Sequence, residues 1–172
     1  MPTPKPIAGS LLAPLSFAKV GGGEITIGGT REAWTLLVVY RGKHCPRCKK
    51  YLNTLDAMRG DWQAAGFEIA VVSADTEAKA QSDRDDFGWG FDLGYGLSRE
   101  QMETLGLYVT QPLSDAETGA PFAEPGVFVL RPDGSLLLIA ISNGPAARPD
   151  LAELLDGMIF TKENDRPPRG ML

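Results

Sequence analysis

At 172 residues the chain is long enough for one domain with a substantial core, and its 43% apolar and 23% charged residues are ordinary for a globular protein. A net charge of −5 argues against general nucleic-acid binding, and no apolar run approaches the ~18–20 residues a membrane span requires. The proline-rich start and the short, broken run Leu11-Leu12-Ala13-Pro14-Leu15 do not make a secretion signal, which implies a cytoplasmic protein with no membrane partner.

Residues 1–15 carry prolines at 2, 4, 6 and 14 and read as an extended arm without helix. Leu15–Val20 and Glu24–Ile27 flank Gly21-Gly22-Gly23, which predicts a hairpin. Trp34–Tyr40 is almost continuously apolar, as a strand buried on both faces of a parallel sheet must be. Tyr51, Leu55, Met58 and Trp62 then share one face of a helix that should run on to Gly66.

Phe67–Ser73 repeats the buried-strand pattern, and Ser73-Ala74-Asp75-Thr76-Glu77 reads as a cap, with Asp75 the expected capping residue of a polar helix ending near Phe87. Residues 34–87 are thus strand–helix–strand–helix, the crossover unit of a parallel sheet. The glycine- and aromatic-rich segment 88–96 predicts a short edge strand, with Trp89 and Tyr95 in an edge cluster or lining a pocket or dimer contact. Ser98 and Gln101 form a capping box opening a helix that stops at Gly106. A long loop over 108–125 precedes two strands, Val127–Leu130 and Ser135–Ile141, joined through Asp133-Gly134. Pro149–Phe160 is a last amphipathic helix. The expected organisation is one α/β domain over 1–160 and a flexible tail over 161–172.

The chemistry gathers in Tyr40-Arg41-Gly42-Lys43-His44-Cys45-Pro46-Arg47-Cys48-Lys49-Lys50, which holds the only histidine and both cysteines. A Cys-X-X-Cys placed where a buried strand gives way to a helix is a thiol redox layout. Unpaired N–H groups and the helix dipole at the helix start favour a negative sulfur on Cys45, while Cys48 lies one turn on, within disulfide reach. Pro46 sits where its missing N–H costs nothing. A closed zinc site needs about four ligands, and His44, Cys45 and Cys48 offer three; two inert cysteines are the remaining alternative. No cofactor is expected. His44 is a candidate for tuning Cys45 or passing protons, or else an exposed turn residue. Arg41 is a candidate electrostatic partner of the thiolate. Lys43, Arg47, Lys49 and Lys50 read as a basic rim suited to an acidic partner.

This order of elements, together with Tyr40-Arg41-Gly42, Cys45-Pro46-Arg47-Cys48, Ser73-Ala74-Asp75 and Pro125-Gly126 through Asp133-Gly134, resembles the peroxiredoxin-like (AhpC/TSA, redoxin) family over roughly residues 6–160. The resemblance implies a thioredoxin-like fold, a central mixed β-sheet flanked by helices with an N-terminal hairpin extension. It implies a thiol-dependent oxidoreductase that reduces hydroperoxides, or a disulfide reductase or redox sensor built on the same pair. In that cycle Cys45 attacks and Cys48 resolves. The implied reductant is of thioredoxin or glutathione type, and a homodimer fits the family. Gly42 and Val38 stand where typical members carry threonine and proline. Pro125 stands near the place of a cis-proline beside the thiols in thioredoxin-type reductases, which makes it a candidate site residue.

Overall fold

A computed structural model describes residues 3–172. Met1 and Pro2 of the expected arm lie outside the described residues; from Thr3 to Pro14 the arm runs without helix. It is tied down where Leu12 N–H reaches Gly134 O (2.9 Å) and Leu136 N–H reaches Ser10 O (2.9 Å). Strands β1 (Leu15–Lys19) and β2 (Glu24–Ile27) form the expected antiparallel hairpin.

Strand β3 (Trp34–Val39) is the centre of the sheet. Its side chains alternate between two cores: Leu36 and Val38 face one, Leu37 and Val39 the other, and all four are buried. Helix α1 (Pro46–Ala57) follows and buries Cys48, Leu52 and Leu55. The expected single helix to Gly66 is interrupted. Met58 leaves helical geometry (φ −95°, ψ 2°) and α2 (Arg59–Ala64) restarts there, which still buries Trp62 completely. The apolar spacing survives the break because both segments pack on the same core. Gly60, a poor helix former, falls in the restarted turn.

Strand β4 (Phe67–Val72) pairs parallel with β3, and helix α3 (Glu77–Phe87) returns the chain to β5 (Asp92–Tyr95), parallel to β4. Two expectations are corrected here. The N-cap of α3 is Thr76, whose hydroxyl accepts Lys79 N–H, and Asp75 points elsewhere. β5 is no edge strand, because the N-terminal hairpin pairs along its outer side. Trp89 is buried, donating to Asn53 Oδ1 (2.8 Å) and stacked between Phe87 and Phe91.

Helix α4 (Arg99–Thr104) opens with the expected Ser98–Gln101 capping box. The long loop contains one small antiparallel pair, β6 (Val109–Thr110) with β7 (Phe122–Ala123). Strands β8 (Gly126–Leu130) and β9 (Leu136–Ile141) close the other side of the sheet, in the order β2-β1-β5-β4-β3-β8-β9. Helix α5 (Leu151–Glu163) runs past the expected end at Phe160 and packs Leu151, Leu154, Leu155 and Met158 on the α1 side. This mixed sheet with helices on both faces is the expected α/β architecture. No helix among the described residues is long and apolar enough to cross a membrane.

Candidate active site

The carboxyl ends of β3 and β4 lie side by side, with Tyr40 N–H continuing the ladder to Val72 O (3.1 Å). The chain then turns sharply: Cys45 N–H donates to Gly42 O (3.1 Å), and Gly42 holds a left-handed φ of 132°. Asp75, carried just past the end of β4, fixes that turn by accepting Lys43 N–H on Oδ2 (2.7 Å). A Cβ on residue 42 would stand 2.7 Å from Asp75 Oδ1. A threonine on this backbone would therefore be strained at φ 132° and would press on the Asp75 carboxylate. Burial pushes the Asp75 carboxyl above the ordinary range, opposed by the Lys43 N–H.

Cys45 is the N-cap of α1. Its Sγ accepts Cys48 N–H at 3.3 Å, one of the donors a helix start leaves without a backbone partner. Cys45 and Cys48 are joined as a disulfide, with Cα atoms 5.3 Å apart, and both are buried (1% and 0% exposed). The other sulfur has a partner that the sequence did not reveal. Arg148, in the loop between β9 and α5, places Nη2 2.6 Å from Cys48 Sγ. Its guanidinium lies over the Tyr51 ring (5.1 Å), and Tyr51 Oη donates to Pro149 O (2.8 Å), which anchors the loop on α1. Burial lowers Arg148 from the ordinary guanidinium value, with Tyr51 opposing, yet it remains a cation.

The remaining candidates are distributed differently from expectation. Arg41 turns to carboxylates, with Nε 3.1 Å from buried Glu124 and Nη2 3.7 Å from Glu117, above the Phe122 ring. Lys43 and Lys49 converge on Asp83, at 3.6 and 3.5 Å, and Lys43 also meets Asp86. Burial raises the Asp83 carboxyl, and the two lysines pull it back. Half of the expected basic rim is therefore neutralised internally; Arg47 and Lys50 stay exposed.

His44 packs edge-on to Phe122 (4.6 Å), with both ring nitrogens buried and without a hydrogen-bond partner. Burial, then Arg41, lowers its pKa. The sign follows: near pH 6.5 and below the unfolded chain takes a proton that folded His44 resists, so this residue's contribution falls as pH falls. His44→Leu should gain stability relative to the parent as pH drops from about 7 to about 5, by less than about 1.4 kcal/mol per pH unit. Thermal melts of both proteins across that range check it.

Pro125 is not the expected cis-proline. No peptide bond among the described residues is cis. The chain enters β8 in regular extension immediately afterwards, with Gly126 paired to Val39 and Ile141, and Pro125 O accepting Ser142 N–H (3.1 Å). A trans bond feeds that ladder directly, as most X–Pro bonds do.

The sequence matches the model of the AhpC/TSA family over residues 10–139. The chain belongs to the AhpC/TSA family. Solved structures agree on the fold. A peroxiredoxin-like protein from Aquifex aeolicus superimposes with a TM-score of 0.75 at 15% identity, over 90% of this chain and 86% of that one. AhpC of Mycobacterium bovis gives 0.74 at 14% identity, over 98% and 99%. Peroxidoxin BcpB of Mycobacterium tuberculosis gives 0.71 at 13% identity, over 93% and 98%. No curated protein matches the sequence. With its Cys45–Cys48 pair at bonding distance, this AhpC/TSA member is a thiol-dependent oxidoreductase of peroxiredoxin-like type.

Proposed function

We propose that the protein reduces hydroperoxides with Cys45 as the attacking thiolate and Cys48 as the resolving thiol. The observation that carries this reading is the N-cap position of Cys45, with Cys48 N–H directed at its sulfur. A thiolate there meets a hydrogen-bond donor and the positive end of α1. The thiolate attacks one peroxide oxygen. An S–O bond forms, the O–O bond breaks, and the departing oxygen takes a proton, leaving an alcohol or water and Cys45 sulfenic acid. The Cys48 thiolate then attacks the Cys45 sulfur; the S–S bond forms, the S–O bond breaks, and the departing hydroxide takes up a proton from solvent and leaves as water. Arg148, on Cys48 Sγ, favours the ionised form that this attack requires. Two thiol equivalents from a reductant complete the cycle. Arg41 and His44 act as positioning residues: Arg41 ties the turn to Glu124, and His44 packs it on Phe122.

Stopped-flow mixing of reduced protein with hydrogen peroxide or an organic hydroperoxide tests the reading. One equivalent of hydroperoxide should disappear with two protein thiols, well above free-thiol rates, and insulin reduction should stay near background. Insulin reduction without peroxide consumption would make it a disulfide reductase. Neither activity, with the disulfide still forming, would make it a sensor.

A further inference from the structure

The cations near the disulfide fall into two groups. Arg41, Lys43 and Lys49 are each within 4 Å of a carboxylate. Arg47, Lys50 and Arg148 have no ion pair among the described residues, and they line one cleft of about 340 Å³ between the start of α1 and the loop before α5. Asp150 also borders this cleft, but its Oδ1 is occupied by Ala152 and Glu153 N–H groups (3.0 and 2.9 Å) as the N-cap of α5. In a chain of net charge −5, three cations without a carboxylate partner thus gather in one concavity, and Arg148, which lines it, separates it from the buried Cys48 Sγ at 2.6 Å. The volume is at the small end of ligand clefts, about 300–1,000 Å³, so it fits a small molecule better than a protein loop.

We infer that this cleft is the entry site of the reductant, a small thiol bearing carboxylates, and that the thiol attacks Cys48 rather than Cys45. The inference rests on the reading that Cys45 and Cys48 form a redox pair. A carboxylate held by Arg47 and Lys50 competes for the Arg148 guanidinium, which gains more from a full negative charge than from the sulfur of a neutral disulfide. Moving Arg148 uncovers Cys48 Sγ. The incoming thiolate forms a bond to that sulfur, and the Cys45–Cys48 bond breaks. The electron pair leaves on Cys45, where Cys48 N–H and the helix start receive it. A second thiolate then attacks the first reductant's sulfur. Two thiols become one disulfide, their protons pass to solvent, and Cys48 leaves as a thiolate that Arg148 can pair again.

The test uses full-length protein loaded with the disulfide by diamide, so that it reads reduction however peroxide behaves. Reduction rates are measured with mercaptosuccinate, 2-mercaptoethanol and cysteamine, each divided by its rate against an uncharged cyclised Cys-Pro-Gly-Cys peptide, which removes differences in intrinsic thiol reactivity without removing the charge effect of Arg47 and Lys50. Mercaptosuccinate should lead 2-mercaptoethanol by roughly tenfold, cysteamine should trail, and the order should collapse to within about twofold in 1 M salt. Arg47→Glu with Lys50→Glu should reverse the order. Acid quenching and alkylation should place the first adduct on Cys48 and the alkyl label on Cys45. A charge order equal to the peptide's, a first adduct on Cys45, or reduction only by a protein dithiol would each overturn the inference. Absent peroxide turnover with the charge order intact would instead sink the proposed peroxidase and leave the cleft standing.

Discussion

Cys45→Ser is expected to abolish hydroperoxide consumption, by a factor on the order of 10³ or more, because no other cysteine occupies a helix N-cap. Cys48→Ser should behave differently. It should consume one equivalent of hydroperoxide in a single fast phase and then stop, with Cys45 held as a sulfenic acid that dimedone traps. Excess peroxide should carry it on to sulfinic acid, since the thiol that would intercept it is gone. The two variants separate the roles because the geometry does. Cys45 draws its stabilisation from Cys48 N–H, which serine at 48 retains, whereas the charge partner of Cys48 is Arg148. Intact-mass spectrometry after stoichiometric peroxide decides the matter. Sulfenic acid on Cys48 in the Cys45→Ser protein would invert the assignment.

The strand–turn–helix carrying the cysteines was legible because each of its signals is local. An apolar run with no polar face, a proline at the first helical position and a Cys-X-X-Cys all lie within twenty residues of one another. What surrounds the cysteines was not legible, because it arrives from far along the chain. Arg148 is 100 residues from Cys48 and reaches it only because β8 and β9 return beside β3 and set down the loop before α5. Glu117 and Glu124, which claim Arg41, sit in a loop whose sequence gives no periodic signal. Asp75 was misread for a related reason. Aspartate just before a helix is a good cap by local rules, but Thr76, a somewhat weaker cap, serves α3 instead, which frees Asp75 for a partner 32 residues away. The edge-strand expectation for β5 failed likewise, since the strand that covers it lies more than seventy residues earlier, in what reads as a separate hairpin.

Gly42→Thr, the substitution that would make this turn look like a typical family member, should therefore damage the protein. Threonine would have to adopt φ 132°, a region that a β-branched residue rarely enters, at a cost of about 1–3 kcal/mol. Its Cβ would also press on Asp75, 2.7 Å from Oδ1, and displace the carboxylate that accepts Lys43 N–H. That N–H is partly buried, and losing its acceptor adds about 1–3 kcal/mol. The two costs together should lower Tm by several degrees or more for a chain of this length. The site should suffer as well, because the turn from Gly42 to Cys45 sets where the Cys45 sulfur meets the helix, so oxidation of Cys45 by peroxide should slow. Asp75→Ala added to Gly42→Thr would relieve the contact but leave both the strained backbone and a Lys43 N–H without its acceptor, and should recover little of the loss. Differential scanning calorimetry of the single and double variants, beside single-turnover oxidation of each, checks both halves. A threonine variant as stable as the parent and faster with peroxide would show that Asp75 is not what fixes this turn.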